Sequence, residues 1–387
     1  MTALETIRTF SDDLVAMHRD FHENPEIGLQ ETRTAKIVAT QLRDLGFEVH
    51  EGVGVTGVVG VLEGKKPGKT IGLRADMDAL PLDEKTNLAW SSKNPGLMHA
   101  CGHDGHTTML LGAARYLSSL DQIEGKIVLI FQPAEEGLGG ARAMIADGLF
   151  DRFPCDEIYA LHNKPSKELG RVEVKTGVAY AGADFFDLRI SGKGAHGAYP
   201  HEGTDVIGAS SALIAGFNSI ISRWVPAGER AVLSITKIEG GQAYNVLPDE
   251  VTMGGTIRFL SNATAELIRG RMNDIAEGVS RSHGVSVSID FDQVFGVLNN
   301  DATCAAAVQK ISTDVMGADL VHEIDTCDLG SEDFADMLDI VPGAYFTVGH
   351  DSPAPLHNPG FIQDEAMLPI GAALLSEIAL TRSKEAG

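Results

Sequence analysis

The most restrictive feature of this chain is the alternation of short apolar segments with segments whose apolar residues recur at helical spacing. The alternation runs to about residue 180 and returns after residue 296. It is typical of an α/β fold, in which a mostly parallel sheet is flanked by helices. The predicted helices are 4–20, 32–45, 106–120, 140–148, 302–312 and 364–380, and the predicted strands are 47–49, 58–62, 70–74, 126–131, 158–161 and 344–348.

Residues 184–296 follow a different order. A strand and a helix precede two strands, and a second helix and a final strand follow them. The order β-α-β-β-α-β predicts a ferredoxin-like unit. Its predicted strands are 185–190, 231–238, 250–259 and 285–291, and its predicted helices are 205–223 and 264–282.

Length and composition favour a globular protein of two domains. The chain has 387 residues and a formal net charge of 31 minus 54, or −23. This charge disfavours nucleic acid or an anionic membrane surface as a partner. Three of the four cysteines, Cys155, Cys304 and Cys327, are scattered and give no disulfide framework. Because no leader or long apolar span is evident either, we expect a cytoplasmic protein.

Residues 99–106 carry an unusual density of metal-binding groups: one thiol, three imidazoles and one carboxylate. Cys101 and His103 lie two residues apart, so in an extended segment both side chains are on one face. The neighbouring glycines allow the backbone to approach an ion closely. Such donors rarely cluster without a metal or redox reason, so the segment predicts part of a metal site, with a polar turn as the alternative. The other donors of the segment fit supporting positions better than ligand positions.

Further donors must come from elsewhere in the chain, because one ion needs about four of them. Glu135 and Glu136 follow a predicted strand, His162 ends the next strand, and His357 lies in a proline-rich loop. Each of these signals is weak alone, since a single histidine is more often structural. Adjacent carboxylates cannot both face the same way, so one can bind metal while the other holds a proton. Together with the first cluster, these residues offer enough donors for two ions.

Two glycine-rich segments resemble nucleotide-binding motifs but have the wrong context. Gly52-Val-Gly54-Val-Thr-Gly57 fits a dinucleotide fingerprint, yet a strand pattern follows it where a helix is required. The segment 64–70 resembles a phosphate loop but has three spacer residues instead of four. We therefore predict neither site.

Eight segments, in this order, resemble those of the co-catalytic metallo-amidohydrolases, a family that includes hippurate hydrolase, aminoacylase, N-acetyl-diaminopimelate deacetylase and auxin-conjugate hydrolase. The resemblance extends over essentially the whole chain. The segments are Arg74-Ala-Asp76-Met-Asp78-Ala-Leu-Pro81, His99-Ala-Cys101-Gly-His103-Asp104, Pro133-Ala-Glu135-Glu136-Gly137, Leu161-His162, Gly194-Ala-His196, Asn245-Val-Leu-Pro248-Asp249, Gly330-Ser-Glu332-Asp333-Phe and His357-Asn-Pro359.

The resemblance implies a zinc-aminopeptidase-like catalytic domain with two divalent metal ions. Thiolate and imidazole donors favour zinc, whereas carboxylate and open coordination also suit manganese, and cobalt or nickel are further alternatives. Glu135 would be the general base that deprotonates a metal-activated water and later protonates the departing amine. The implied metal ligands are Cys101, His103, Glu136, His162 and His357.

Since His357 must join ligands from the first part of the chain, we interpret residues 184–296 as an insertion. The catalytic metal-binding domain then comprises 1–183 and 297–387. For the inserted domain, the resemblance implies dimerisation and closure over the site, and therefore a homodimer.

Two aspartates precede the first metal-binding segment. The spacing of Asp78 to Pro81 resembles that of a family aspartate that steers a ligating histidine, but Asp76 stands where other branches have that histidine. We expect Asp78 to orient the site. The alternative is that both residues only end a strand and begin a turn.

Three residues of the inserted domain are candidates for substrate contacts. The resemblance implies that His196 reaches across the dimer to help hold the carbonyl oxygen. Asn245 and Arg258 are candidates for the carboxylate or amide of the substrate, because a guanidinium suits a carboxylate. Arg258 fits the solvent face of a strand equally well.

The predicted function is metal-dependent hydrolysis of the amide bond of small N-acyl amino acids, hippurate-like or N-acetylated. A di- or carboxypeptidase and a non-catalytic metal-binding regulator are the alternatives. Glu135 beside a ligand would have no purpose in a metal store, which favours an enzyme. Only the resemblance favours acyl amino acids over peptides, and the acyl group stays open.

Overall fold

The structure is a computed structural model that describes residues 1–384. The chain divides into two compact units. The first contains Met1–Ala179, Leu298–Cys327 and the chain from Asp333 onward, and the second contains Tyr180–Val297 and Asp328–Glu332. The catalytic, lid and dimerisation roles of the two parts stay predictions.

Helices and strands alternate through most of the described chain. The helices are α1 (Ala3–Arg8), α2 (Ser11–Glu23), α3 (Thr32–Asp44), α4 (His103–Ser118), α5 (Gly140–Ala146), α6 (Leu149–Arg152), α7 (Val206–Arg223), α8 (Asn262–His283), α9 (Ala302–Met316), α10 (Phe334–Leu338) and α11 (Leu368–Arg382). The strands are β1 (Glu48–Val53), β2 (Gly57–Glu63), β3 (Lys66–Asp76), β4 (Glu124–Gln132), β5 (Glu157–Pro165), β6 (Val172–Val174), β7 (Gly177–Tyr180), β8 (Gly182–Ser191), β9 (Ala195–His196), β10 (Ala231–Gly240), β11 (Val246–Leu247), β12 (Glu250–Phe259), β13 (Ser286–Phe295), β14 (Leu298–Asn300), β15 (Val321–Glu323) and β16 (Gly343–His350).

The first unit is built on an eight-stranded sheet in the order β1-β2-β4-β3-β5-β16-β6-β15. The four central strands β4, β3, β5 and β16 are mutually parallel, and the antiparallel pairs lie toward the edges. The structure therefore confirms the predicted α/β class with a mostly parallel sheet.

Apolar composition explains why the central strands are central. All residues of β16 are buried, and so are the last six residues of β4, because helices cover both faces of a parallel sheet. The helix α11 packs against α4 and is buried over most of its length. Parallel strands end at the same edge, so the residues that follow β3, β4 and β5 meet at the carboxyl edge of the sheet.

The second unit has the predicted ferredoxin-like order, with β8, α7, β10, β12, α8 and β13 in sequence. Its sheet is antiparallel throughout, in the order β10-β12-β8-β13. The helix α7 is long and apolar enough to cross a membrane by composition. In the structure its residues Leu213, Phe217 and Ile220 are buried in the core of this unit, whereas Ile207 is 49% exposed.

The clearest differences from the predicted elements are the divided opening helix and two short strands. The opening helix is divided into α1 and α2, because α1 ends at Arg8 and Phe10 takes a non-helical conformation. The strands β6 and β15 were not predicted, since three residues are too few to show a periodic pattern. The segment Gly52–Gly57 is the turn of the β1/β2 hairpin, which explains its glycines without a nucleotide.

A buried ion pair fastens the last helix to the sheet. Arg382 at the end of α11 donates to both oxygens of Glu157 at the start of β5, at 2.8 and 2.6 Å. Lys69 also donates to Glu157, at 2.9 Å. Although burial opposes the charge, hydrogen bonds from Arg382, Tyr159 and Lys69 lower the pKa of Glu157 to about 2.

We predict that Glu157→Gln destabilises the folded protein by about 3 kcal/mol at pH 7, because a buried guanidinium loses its counter-charge. The lowered pKa means that this stabilisation is complete above about pH 4.5 and is lost as the pH falls toward about 2. Urea unfolding followed by circular dichroism at pH 7 and pH 3 measures the difference. The matched control is Glu63→Gln, whose exposed pair with Lys126 should contribute less than about 1 kcal/mol. Equal effects of the two substitutions would contradict the account.

Candidate metal centre

The carboxyl edge of the first unit's sheet collects the predicted metal ligands. Glu136 follows β4, and His162 lies near the end of β5. Cys101 and His103 lie at the start of α4, where Gly102 takes a φ of +89° that favours glycine. His357 reaches the same place because its backbone N–H donates to the carbonyl of Ala100, at 2.8 Å.

The five donors form two groups that share one sulfur. In the first group, the donor atoms of Cys101, His103 and His162 all lie within 4.8 Å of one another. The same holds for Cys101, Glu136 and His357 in the second group. The Cys101 Sγ is 3.4 Å from the His162 Nε2, and the His357 Nε2 is 3.1 Å from the Glu136 Oε1. His357 is 256 positions from Cys101 in the sequence, yet its donor atom lies close to the Cys101 sulfur.

The chemistry of these groups fits divalent metal ions. The donors are one sulfur, three imidazole nitrogens and one carboxylate, a set suited to zinc and related ions. Among the described residues, the buried Nε2 of His103 has no hydrogen-bond partner. A buried polar atom without a partner is costly, and an ion bound at this nitrogen would remove the cost.

Neighbouring groups fix which atoms of the histidines face the centre. The Nδ1 of His103 donates to the carboxylate and to the backbone carbonyl of Asp78, at 3.1 and 3.0 Å, so its Nε2 faces inward. The Nδ1 of His162 donates to the carbonyl of Asn163 at 2.7 Å, which leaves its Nε2 toward Cys101. Such outer contacts orient metal-binding histidines.

Asp78 therefore contacts two of the predicted ligand residues. Besides its bond to His103, it accepts a hydrogen bond from the backbone N–H of Glu136, at 3.0 Å. The carboxylate is 2 % exposed. These contacts are compatible with the predicted orienting role of Asp78, which stays a prediction.

Electrostatics of the centre reflect burial and close contacts. Burial raises the pKa of the Cys101 thiol to about 11. Hydrogen bonds to Cys101 and Glu136 raise the pKa of His357 to about 10. Both groups hold protons that metal binding would release.

A buried polar network supports the centre from the sheet. Although burial opposes its charge, His103, Arg74 and His106 hold the pKa of Asp76 well below its usual range. The Arg74 side chain pairs with Asp76 at 2.6 Å. The Nδ1 of His106 lies 2.6 Å from the same carboxylate, and the backbone N–H of Asn163 donates to its Nε2.

The structure also shows the contacts of His18 and His22, two histidines for which the sequence predicted no role. The Asp104 carboxylate at the start of α4 lies 2.7 Å from the Nδ1 of His22 and 3.3 Å from the Nε2 of His18. The other nitrogens of these rings lie 3.3 Å from Glu84 and 3.4 Å from Glu365. Because each ring is already bonded to carboxylates, this cluster is best explained as an anchor for the first turn of α4.

The candidate substrate residues of the second unit have contacts within that unit. His196 pairs with Val246 in the β9/β11 ladder, and the backbone of Asn245 accepts from Gly197 at 2.7 Å. The Nδ1 of His196 accepts a hydrogen bond from the N–H of Ala198, at 3.1 Å. Arg258 donates to Ser331 at 2.7 Å.

Sequence reasoning missed two buried carboxylates near the centre. Asp333 accepts from the N–H of Ala141 at 3.0 Å, and Glu31 accepts from the N–H of Ala134 at 2.9 Å. Asp333 lies in one of the eight quoted segments, whereas Glu31 lies in none of them. In the sequence, Glu31 is distinguished only by its position directly before α3. Its complete burial is visible only in the structure.

Comparison with known proteins decides the family. Residues 72–381 match peptidase family M20/M25/M40. This chain belongs to that family.

Relatives of this M20 chain span nearly its full length. It is 38% identical to a hippurate hydrolase of Campylobacter jejuni over 380 residues, which cover 98% of this chain and 99% of the relative. It is also 38% identical to thermostable carboxypeptidase 2 of Saccharolobus solfataricus over 389 residues, or 98% of each protein. A solved structure of the Bacillus subtilis YXEP protein, described as a dinuclear metal-binding peptidase, has a TM-score of 0.84 at 31% identity and covers 97% of this chain and 98% of that one.

The comparisons confirm the predicted family resemblance and show that the M20 chain is a metallo-amidohydrolase.

We predict unequal metal losses at this M20 centre because Cys101 belongs to both donor groups. Cys101→Ala should remove most of the bound metal, whereas His162→Ala should remove about half of it. Plasma mass spectrometry of reconstituted and desalted protein measures metal per chain. Cys327→Ala, which lies outside both groups, is the control. Equal losses in the Cys101 and His162 variants would contradict the shared sulfur.

Proposed function

We propose that this protein hydrolyses the amide bond of small N-acyl amino acids, hippurate-like or N-acetylated, with two divalent metal ions. The observation that carries the proposal is the place of Glu135. Its carboxylate lies within 4.8 Å of the donor atoms of His103 and Glu136, and the residue is 7 % exposed. A second carboxylate at that position suits a general base better than a further ligand.

The metal ions would be held by the two donor groups that share Cys101. Manganese or zinc are the proposed ions, with cobalt or nickel as alternatives. When bound, such ions polarise an amide carbonyl and acidify water. This chain's residues supply the ligands, their orientation and the base.

Glu135 would carry the proton through the reaction. As a carboxylate it accepts a proton from the attacking water, and as an acid it returns that proton to the amine that leaves. Both glutamate carboxylates approach His103, because the ligand atoms of His103, Glu135 and Glu136 all lie within 4.8 Å of one another. Only Glu136 has its backbone N–H bonded to Asp78, at 3.0 Å. One side chain can then serve the metal while its neighbour serves the proton.

The substrate class is supported by the hippurate hydrolase relative. Hippurate is an N-acyl amino acid with a free carboxylate, and we propose Asn245 and Arg258 as contacts for such a group. We propose His196 as the donor to the carbonyl oxygen. A carboxypeptidase activity is the second candidate, because the carboxypeptidase relative has the same identity.

We further propose a cytoplasmic homodimer formed through the second unit. The four cysteines are free thiols, which is compatible with a reducing compartment. Among the described residues, β10 is an edge strand of the second unit's sheet and its second half, residues 236–240, is exposed, which is compatible with a subunit contact.

We predict that substitution of Glu135 lowers kcat, whereas substitution of Glu136 lowers metal content. Glu135→Gln should lower kcat by about 100- to 10,000-fold with metal content unchanged, because only the base is removed. Glu136→Gln should lower metal content instead. Steady-state assays paired with metal analysis separate the two, and a Glu135 variant that loses metal would argue against its role as base.

The substrate proposal predicts a ranking of substrates by kcat/KM. After chelation and addition of manganese, zinc, cobalt or nickel, hippurate and N-acetyl amino acids should have higher kcat/KM than dipeptides or C-terminally extended peptides. Initial rates of amine release across this panel measure the ranking. Faster cleavage of peptides would contradict the proposal and support the carboxypeptidase activity instead.

A further inference from the structure

Ala134, directly before the proposed base, has a backbone conformation that alanine rarely adopts. Its φ is +53°, in the left-handed region that favours glycine. The residue is fully buried, so water cannot satisfy its polar groups. Contacts from outside the loop must therefore hold it in place.

Glu31 supplies such a contact. One carboxylate oxygen accepts a hydrogen bond from the N–H of Ala134 at 2.9 Å, and the other accepts from the hydroxyl of Thr56 at 2.6 Å. Glu31 itself is 0 % exposed. A fully buried carboxylate is expensive unless it is hydrogen-bonded, so these two contacts account for its place in the fold.

Ala134 is restrained on its other sides as well. Its carbonyl accepts from the N–H of Gly140, at 3.0 Å. A Cβ added to Gly28 would lie only 2.9 Å from the Ala134 Cβ, so the backbone of Gly28 packs directly against this methyl group. With both polar groups and the methyl fixed, the direction in which Glu135 leaves the loop is fixed too.

The neighbouring ligand has a separate anchor. Glu136 is held by Asp78 through its backbone N–H, at 3.0 Å. Glu31 bonds to the residue before the base, whereas Asp78 bonds to the ligand itself. Loss of Glu31 should therefore disturb the base and leave the ligand in place.

We propose that Glu31 is a positioning residue that holds Ala134 in its left-handed conformation and thereby aims Glu135 at the reacting amide. The proposal rests on the function proposed above for Glu135. Glu31 lies before residues 72–381, the part of the chain that matches the family.

The first test compares Glu31→Ala with Glu31→Gln. The amide of glutamine can still accept from Ala134 and can donate to Thr56, so we expect rescue. For Glu31→Ala we expect kcat to fall on the order of 10- to 100-fold, with KM and metal content close to those of the wild type. Rates are expressed per folded, metal-loaded chain.

Glu26→Ala is the matched control for stability. The Glu26 carboxylate also accepts from backbone N–H groups, those of Arg33 and Thr34 at 2.9 and 2.8 Å, but these belong to α3. We expect this variant to lose stability and to keep the kcat of the folded protein. An unchanged kcat in Glu31→Ala, or an equal fall in Glu31→Gln, would overturn the proposal.

A second readout does not require activity. Hydrogen–deuterium exchange of the peptide that spans residues 132–140 should be faster in Glu31→Ala than in Glu26→Ala, and equal exchange would overturn the proposal. If the wild-type protein hydrolysed no acyl amino acid or peptide, the proposed function would fail while this readout still tested the restraint.

A double-mutant cycle covers the case in which Glu31→Ala folds poorly. Ala134→Gly removes the strain that Glu31 opposes, because glycine adopts positive φ readily. We therefore expect Glu31→Ala to lower kcat less in the Ala134→Gly background than in the wild type. Equal falls in both backgrounds would show that Glu31 does not act through Ala134.

Discussion

One buried sulfur connects both halves of the proposed metal centre. Cys101 belongs to both donor groups, and burial raises the pKa of its thiol to about 11. The thiol therefore has little tendency to ionise by itself, whereas a thiolate between two cations would be compensated by both. The convergence of His162 and His357 on this atom gives the site a chemistry that no single motif supplies.

The edge of a parallel sheet brings these residues together, but it does not orient them. Orientation comes from buried oxygen atoms around the centre. Asp78 contacts His103 and the backbone of Glu136, and the carbonyl of Asn163 fixes the ring of His162. In our proposal Glu31 does the same for the base, so each reactive side chain has its own support.

Much of this architecture could be predicted because the signals are local. The strands β4, β5 and β16 each contain a short apolar run, and cysteine and histidine are uncommon residues whose clustering points to metal. The division of the first helix at Phe10 and the strand pair β6/β15 depend on tertiary contacts that a short pattern does not contain. Glu31 was missed for the same reason, since its hydrogen-bond partner Ala134 lies 103 positions away.

The most direct test of the account is a crystal structure of the manganese- or zinc-loaded protein with anomalous diffraction measured at the metal edge. The account predicts two anomalous peaks, each within metal–ligand distance of the Cys101 sulfur. His103 and His162 should lie beside one peak, and Glu136 and His357 beside the other. A single peak, or two peaks of which one has no contact with the sulfur, would contradict it.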